Sequence, residues 1–342
     1  MWILILNVRF KGISFIRYVN IFIFFKKLGF RFNPFSSKTI TWGSKYLLEK
    51  DNVVRIEDGF IRSVGLGVEN APPLSLVFDY EGIYYDATKP SDLENILNYN
   101  EFDDIVTNRA SAIRIKLVEL GVSKYNVGVD SFLDLPLNKN KILVPGQVES
   151  DASIIFGSSK IKNNWELLKR VRDDNPDSYI IYKPHPDVLS GERDNGQWDF
   201  GISKYADLCV FDIAIDKLLN LVNEVHTITS LTGFEALLRG KPVTTYGMPF
   251  YAGWGLTRDI ESCSRRKRIL SIEELIAGVL ITYPIYIDPY NKELCDVERV
   301  IDIIVNKKSM SIKSRKERSF YHFVDVLKKS RKLMKKIFNY YD

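Results

Sequence analysis

The stretch from Glu224 to Tyr246, EVHTITSLTGFEALLRGKPVTTY, predicts a strand, a helix and a second strand in succession. β-Branched and aromatic residues predict the strands Glu224–Ile228 and Val243–Tyr246, and the pattern of Gly233–Arg239 between them predicts a helix. Gly240–Pro242 turns the chain into the second strand. A strand, a crossover helix and a second strand form the unit of a parallel sheet, so these residues predict an α/β fold.

The same alternation runs through most of the chain. Further strands are expected at Thr39–Trp42, Val53–Ile56, Leu74–Phe78, Ile83–Tyr85, Ile142–Val144, Tyr179–Tyr182 and Leu208–Phe211. Further helices are expected at Ser91–Leu97, Ala110–Leu120, Asn164–Asp173, Ala214–Val222 and Ile272–Ile281. Both periodicities break at Asn126–Asn140. We therefore expect two Rossmann-type lobes with a cleft between them, over residues 1–130 and 141–290, followed by a basic helical tail at 291–342.

Composition places the chain among globular proteins. Of its 342 residues, 45% are hydrophobic and 27% are charged. Its three cysteines are few and odd in number, which argues against a disulfide framework or a cysteine-ligated zinc site and suits a reducing cytoplasm. The most apolar segment, Tyr18–Phe25, is far shorter than the roughly 20 residues that a bilayer requires. Two interpretations stay open for it, a buried element of the core or a surface that touches membrane.

Charge is concentrated near the carboxyl end. Residues 307–336 contain twelve Lys or Arg against Glu317 and Asp325, a charge of +10 in a chain whose net charge is +5. Apolar residues recur among these charges at helical spacing, as in a basic amphipathic helix. Such a helix suits either an anionic membrane surface or packing against the protein. Nucleic acid is not expected as a partner, because no recognition motif accompanies the charge.

Acidic residues follow two of the expected strands. Glu57 and Asp58 come directly after Val53–Ile56, and Arg62 follows in a Gly-rich loop that suits an anionic substrate. The alternative for the two acids is a surface turn. Gln147, Asp151 and Ser153 follow Ile142–Val144 and form a second candidate site. The alternative for Asp151 is a helix cap.

Two further loops carry polar side chains. Lys183 and His185 end the strand Tyr179–Tyr182, and the prolines on both sides of His185 hold its imidazole outward, where it suits a phosphate. Beyond Ile228, the residues Ser230, Thr232, Gly233 and Glu235 open a helix whose free N–H groups form a phosphate cradle. The structural alternative is a capping box, with Thr232 as the cap and Glu235 three residues later.

Five motifs run through the chain, over roughly residues 41–283: EDGFIRSVGLG, PPLSLVFDYEGIYYDATKPSDLE, KPHP, SLTGFEALLRGKPV and YGMPFYAGWGLTRD. As a set, they resemble the KpsC/KpsS type of capsule polysaccharide protein, in particular its retaining β-Kdo transferases. These motifs are long and specific. KpsC proteins carry two related modules, whereas this chain holds one.

The resemblance implies a GT-B-like fold, catalysis without a metal, and CMP bound in the C-terminal lobe. No cofactor is implied beyond the donor substrate, CMP-Kdo. His185 would contact the CMP phosphate with support from Ser230, Thr232 and Gly233, and Glu235 would hold the ribose. Lys183, Gln147 and Ser153 would also bind substrate.

The resemblance also implies roles for the acids. Asp151 would be the nucleophile of a double displacement, and Glu57 or Asp58 would assist the acceptor hydroxyl. The carboxylate of Kdo would be bound by Arg62 or by a helix N-terminus.

The implied function is transfer of Kdo from CMP-β-Kdo to a glycan or lipid-linked acceptor in capsule or surface polysaccharide synthesis. The alternatives are an inverting transferase of the CMP-sialic acid type and a non-catalytic module of a capsule assembly complex. Expected partners are the donor, the acceptor, capsule assembly proteins and an anionic membrane surface. The expected location is the cytoplasm, at the inner face of the cytoplasmic membrane.

Overall fold

The computed structural model describes residues 6–43, 52–64, 71–126, 128, 133–185 and 202–309, and it has an α/β fold with two sheets. Its strands are β1 (Leu6–Lys11), β2 (Phe30–Phe32), β3 (Thr39–Trp42), β4 (Val53–Asp58), β5 (Ser75–Asp79), β6 (Lys141–Pro145), β7 (Tyr179–Lys183), β8 (Leu208–Cys209), β9 (Glu224–Thr227), β10 (Val243–Thr245), β11 (Arg258–Asp259), β12 (Pro284–Ile287) and β13 (Leu294–Cys295). Its helices are α1 (Phe15–Lys27), α2 (Asp92–Tyr99), α3 (Asp104–Glu119), α4 (Ala152–Gly157), α5 (Asn164–Asp174), α6 (Ile202–Tyr205), α7 (Ile215–Leu221), α8 (Leu231–Leu238), α9 (Ile272–Ile276), which continues as a π-helical turn at Ala277–Thr282, and α10, residues 297–309.

The second sheet is parallel throughout its described strands, as predicted. Its strand order is β8-β7-β6-β9-β10-β11, and the chain runs outward from β6 to β8 and then from β9 to β11. This is the strand order of a Rossmann fold. The chain changes direction between β6 and β9, so a crevice opens at the carboxyl ends of these two strands.

The first sheet is mixed, which differs from the doubly wound lobe that the alternation predicts. Its order is β13-β12-β5-β4-β3-β1-β2, with β1 to β4 parallel and the other strands antiparallel to their neighbours. The chain doubles back after β4, where the N–H of Gly59 donates to the carbonyl of Ser75 and that of Leu74 to Arg62. The described residues of this connection, 59–64 and 71–74, form no crossover, and strands joined without a crossover pair antiparallel.

Two elements of the first sheet come from the far end of the chain. β12 lies within the range 141–290 assigned to a C-terminal unit, yet it pairs with β5 and then with β13. The division into units stays a prediction. The expected strand Ile83–Tyr85 is wrong, since the Asp79 carboxylate accepts the Gly82 N–H and the Asp86 N–H donates to the carbonyl of Ile83. These bonds fold the segment into turns.

The apolar segment Tyr18–Phe25 lies in α1, where Ile21, Phe24 and Phe25 are buried. This confirms that the segment contributes to the core, although not all of its side chains are covered. Among the residues that the structure describes, no helix has both the length and the apolar character needed to cross a bilayer. Beyond residue 309, the expected basic tail lies outside the described residues.

A continuous apolar core joins the two sheets. The ring of Phe60, which follows β4, lies 4.6 Å from that of Phe250 in the loop between β10 and β11, residues 246–257, which we call the aromatic loop. In the same loop Tyr251 and Trp254 are fully buried, and the indole N–H of Trp254 donates to the carbonyl of Phe250 at 2.8 Å. The aromatic loop therefore packs the two sheets together.

Candidate functional site

The loops that follow β6 and β9 meet at the crevice of the second sheet. Gln147, which follows β6, is buried, and its side chain is bonded twice to Thr229, which follows β9. Its Oε1 accepts the N–H of Thr229 at 2.9 Å, and its Nε2 donates to the Oγ1 of Thr229 at 3.0 Å. Gln147 was predicted to bind substrate, but here its amide holds two site loops together. The same contact positions Asp151, in the loop of Gln147, and Ser230, the residue after Thr229.

Asp151 is the N-cap of α4, as the structural alternative for it predicted. Its Oδ1 accepts the N–H of Ser153 at 2.9 Å, and its side chain is half-buried. The hydroxyl of Thr229 donates to that of Ser153 at 3.4 Å. Capping does not by itself exclude a chemical role, because a carboxylate oxygen can accept more than one hydrogen bond.

Helix α8 begins at the crevice with Ser230 as its cap. The Ser230 Oγ accepts the N–H of Thr232 at 3.2 Å, and its carbonyl accepts that of Gly233 at 3.0 Å. The capping box with Thr232 as its cap is therefore wrong, because Thr232 already lies inside the helix. Two of the N–H groups expected to cradle a phosphate donate to Ser230, so the hydroxyls of Ser230 and Thr232 remain as the candidate phosphate contacts.

Gly233 sits in close contact with Tyr251, whose hydroxyl donates to the carbonyl of Ser230. A Cβ at position 233 would lie 2.2 Å from this hydroxyl, which is a severe clash. Glycine at this position is therefore required by packing at the start of α8.

Lys183 and His185 stand at the carboxyl end of β7, beside β6. The Nζ of Lys183 donates to the carbonyl of Phe211 at 2.8 Å, and burial lowers the pKa of its ammonium. His185 is half-buried. The parallel pairing of β6 and β7 brings these two residues to the same edge of the sheet as Asp151.

The first sheet contributes Glu57 at the end of β4. Burial, with help from the neighbouring carboxylate of Asp58, raises the pKa of Glu57 to about 7, against the opposing charge of Lys124. A Cβ at Gly43 would lie 2.5 Å from the hydroxyl of Tyr85 and 3.1 Å from the Oε2 of Glu57, so both groups border this glycine. Glu57 is thus a carboxyl group able to exchange a proton near neutral pH.

Asp58 and Arg62 form an ion pair. The Nε of Arg62 lies 2.7 Å from the Oδ2 of Asp58, and a second guanidinium nitrogen donates to the hydroxyl of Ser63 at 2.8 Å. Both side chains are largely buried. Arg62 was predicted to bind a substrate carboxylate, but in the structure its guanidinium is paired with the carboxylate of Asp58. The Gly-rich part of this loop, residues 65–67, lies outside the described residues.

Lys124 joins the two sides of the site, and sequence analysis did not identify it. Its N–H donates to the Oε1 of Glu235 at 3.1 Å, and its carbonyl accepts the N–H groups of Arg62 and Ser63 at 3.3 Å. Its Nζ lies 5.3 Å from the ring centre of Tyr125. No motif marks this lysine, which lies two residues before the break at Asn126–Asn140.

The charge on Lys124 is stabilised by its neighbours. Although burial opposes the charge, the phenols of Tyr125 and Tyr84 and the carboxylates of Asp58 and Glu57 keep the pKa of its ammonium above the ordinary value. An ammonium group beside Glu57 can attract an anionic ligand to this part of the site.

Glu235, on α8, is only 7% exposed. Burial raises its pKa to about 7, and the N–H of Lys124 and the charge of Arg239 oppose the shift. Its expected role in holding a ribose stays a prediction, because the bond in the structure is to the backbone of Lys124.

We expect Glu235→Gln to change how stability depends on pH. Between pH 4.5 and about 7 the folded state holds this proton and the unfolded state does not, so the free energy of unfolding falls as pH rises through this window. The glutamine removes the titration but can still accept the Lys124 bond. Between pH 5 and pH 8, the free energy of unfolding measured by urea titration should fall by about 2 to 3 kcal/mol more in the wild type than in the variant. Glu119→Gln, at an exposed position, is the control, and its free energy of unfolding should fall as much as that of the wild type. An equal fall in Glu235→Gln would show that Glu235 does not titrate in this way.

Two solved glycosyltransferase structures closely resemble this fold. Both are Kdo transferases of KpsC from Thermosulfurimonas dismutans. The β-Kdo 2,7 transferase is 39% identical with a TM-score of 0.73, and the alignment covers 89% of this chain and 99% of that one. The β-Kdo 2,4 transferase is 32% identical with a TM-score of 0.79, and the alignment covers 88% and 98%.

Curated relatives lead to the same family. The capsule polysaccharide modification protein LipA of Neisseria meningitidis serogroup B is 50% identical over 75% of this chain and 37% of its own length. The lipopolysaccharide-processing protein LpsZ of Rhizobium meliloti is 43% identical over 68% of this chain and 54% of its own length. The chain therefore spans less than two thirds of either relative. Residues 48–115 and 105–286 match the family described as capsule polysaccharide biosynthesis protein. With this match over more than half of its length, the chain belongs to the capsule polysaccharide biosynthesis family.

Proposed function

We propose that this chain transfers Kdo from CMP-β-Kdo to a glycan or lipid-linked acceptor, with retention of configuration and without a metal. Its likeness to two β-Kdo transferases over nearly the whole of their length supports the reaction class. The observation that carries the proposal is the crevice of the second sheet, where Gln147 and Thr229 bring the Asp151 loop and the start of α8 together. A GT-B-like arrangement of the two sheets is part of the proposal.

In the first step, the Asp151 carboxylate attacks C2 of the sugar and the bond from C2 to the CMP phosphate breaks. CMP leaves with the bonding electron pair as a phosphate anion, which needs no proton at neutral pH. His185 and the hydroxyls of Ser230 and Thr232 contact this phosphate. Their place at the carboxyl ends of β7 and β9, on either side of β6, supports this role.

In the second step, the acceptor oxygen attacks C2 and displaces the Asp151 carboxylate. Two successive displacements retain the configuration. The acceptor proton passes to Glu57, whose pKa of about 7 suits such a transfer. Between the two acids that sequence analysis left open, the ion pair of Asp58 with Arg62 favours Glu57.

The carboxylate of Kdo needs a cation to bind it. The guanidinium of Arg62 is engaged by Asp58, whereas the ammonium of Lys124 lies beside Glu57 and keeps its charge. We assign the sugar carboxylate to Lys124.

We expect Glu57→Gln to remove the acidic limb of the pH profile. Because the base must be ionised, kcat/KM of the wild type should rise as pH passes through about 7. The variant should transfer sugar roughly 10² to 10⁴ times more slowly, with no rise near that pH. Initial rates between pH 5.5 and 8.5 measure both effects. An unchanged limb in the variant would assign the proton transfer to another group. Glu81→Gln, in the turn after β5, is the matched control and should keep the wild-type profile.

The donor and the stereochemistry are tested together with CMP-Kdo generated in situ and a panel of glycan and glycolipid acceptors. A β-linked product, identified by NMR, supports the proposal. Turnover of CMP-sialic acid alone, or an inverted product, would favour the inverting transferase. Absence of turnover with either donor across the panel would favour the non-catalytic module.

A further inference from the structure

Helix α1 presents an apolar stripe to the surface. Phe15, Val19 and Phe22 are spaced four and three residues apart, which places them on one face, and Lys26 continues the line. These three apolar side chains are 80%, 56% and 48% exposed, and the adjacent Ile16 is 58% exposed. An exposed apolar face of this kind on a helix is typical of a surface that binds a partner or a membrane.

The stripe is not needed to hold the helix in place. The other side of α1 carries Ile21, Phe24 and Phe25, all at most 1% exposed, which pack into the core of the first sheet. The guanidinium of Arg17 lies 4.1 Å from the ring centre of Trp42 in β3. Since these contacts anchor α1, the exposed side chains are available for another purpose.

The apolar surface continues onto the edge of the sheet. The ring of Phe22 lies 5.7 Å from that of Tyr18, which lies 5.2 Å from Phe10, which is stacked 5.9 Å from Phe32. Phe32 belongs to the edge strand β2 and is 61% exposed. We call Phe15, Ile16, Val19, Phe22 and Phe32 together the α1 surface.

Basic side chains predominate in the part of the chain that carries the α1 surface. Residues 1–48 contain eight Lys or Arg and neither Asp nor Glu. Lys11, Lys26 and Arg31, which flank the surface, are exposed. Acids from elsewhere in the described chain approach two basic residues of α1, since Glu293 pairs with Lys27 and Glu57 lies near Arg17.

We propose that the α1 surface docks on an anionic lipid bilayer. A helix with aromatic and aliphatic side chains on one face and Lys or Arg beside them lies flat at the boundary between headgroups and acyl chains. The basic side chains add attraction to acidic headgroups. This composition fits a bilayer better than a protein partner. A protein partner would need acidic side chains at specific places opposite the basic ones, whereas acidic headgroups can adapt to them. The inference does not depend on the donor or on the reaction.

The test is co-sedimentation of the full chain with extruded vesicles. Wild type should bind phosphatidylcholine vesicles containing phosphatidylglycerol, and it should bind pure phosphatidylcholine vesicles much more weakly. Phe15→Ser with Phe22→Ser should lower the partition coefficient at least tenfold, since two aromatic side chains no longer enter the bilayer. Because free energies of separate anchors add, this ratio holds whatever the basic tail contributes.

Ile105→Ser with Ile269→Ser is the matched control, because these side chains are 78% and 85% exposed far from α1 in sequence. The control should bind as the wild type does, and circular dichroism should be the same for all three proteins. Equal binding by the Phe15/Phe22 variant and the control would overturn the proposal. So would a wild-type dimer that the Phe15/Phe22 variant abolishes, without vesicle binding, because the surface would then join two copies of the chain.

Discussion

Replacing Asp151 with asparagine is expected to lower kcat for sugar transfer by roughly 10⁴-fold or more, while the protein stays folded. Asparagine caps a helix about as well as aspartate does, and its amide oxygen can accept the same N–H of Ser153. It is a far weaker nucleophile than a carboxylate. The substitution therefore separates the proposed chemical role of Asp151 from its structural role, which alanine would not do.

Asp103→Asn provides the matched control, since Asp103 caps α3 by accepting the N–H of Val106 at 2.9 Å. This variant should retain full activity, and its unfolding midpoint should shift as little as that of Asp151→Asn. A second readout is the mass of the proteolytic peptide containing Asp151, which should carry a Kdo adduct in the wild type after rapid quenching. Near-normal turnover of Asp151→Asn would contradict the nucleophile assignment.

The largest loss of stability is expected from Glu94→Gln. The carboxylate of Glu94 is buried on α2, with the Nε of Arg265 at 2.6 Å and the Nε of Arg266 at 3.2 Å. The side chain of Arg266 is only 3% exposed, and it also donates to the carbonyls of Pro249 and Ala252 in the aromatic loop. Neutralising Glu94 leaves this buried guanidinium without a counter-charge, which should cost about 3 to 5 kcal/mol of the free energy of unfolding.

Glu298→Gln is the control for Glu94→Gln, because Glu298 accepts two bonds from Arg109 at 2.7 and 2.9 Å near the surface. Solvent screens that pair, so its loss should cost about 1 kcal/mol or less. Urea titrations of both variants measure the difference. Similar losses in the two would show that burial of Arg266 does not decide the cost.

The strands that were predicted correctly from the sequence are runs rich in β-branched and aromatic residues. Thr39–Trp42 has the predicted bounds, and Tyr179–Tyr182 needs only one more residue. Strands β11 and β13 are two residues long, too short for any periodicity to appear. Strand β12 was not predicted, although Ile285, Tyr286 and Ile287 are typical of a strand, and nothing local indicates that its partner is β5, far away in the chain.

The positions of the site loops could also be predicted from the sequence. Loops after strands β4, β6, β7 and β9 were expected to hold the polar side chains, and the structure brings those of β6, β7 and β9 to one edge of the second sheet. What escaped prediction were partners set by tertiary contact, such as Arg62 with Asp58 and Lys124 with Glu235. A motif indicates that a side chain matters, but its charge partner depends on which distant segments pack beside it.

The late arrival of β12 also bears on biosynthesis. Strand β5 borders β4 on one side and β12 on the other, and β12 follows the whole second sheet in the chain. While the nascent polypeptide leaves the ribosome, the first sheet must wait with one edge open until the second sheet has been translated. An open edge can recruit a strand from another polypeptide, so this interval is when the chain is most exposed to aggregation and most dependent on chaperones.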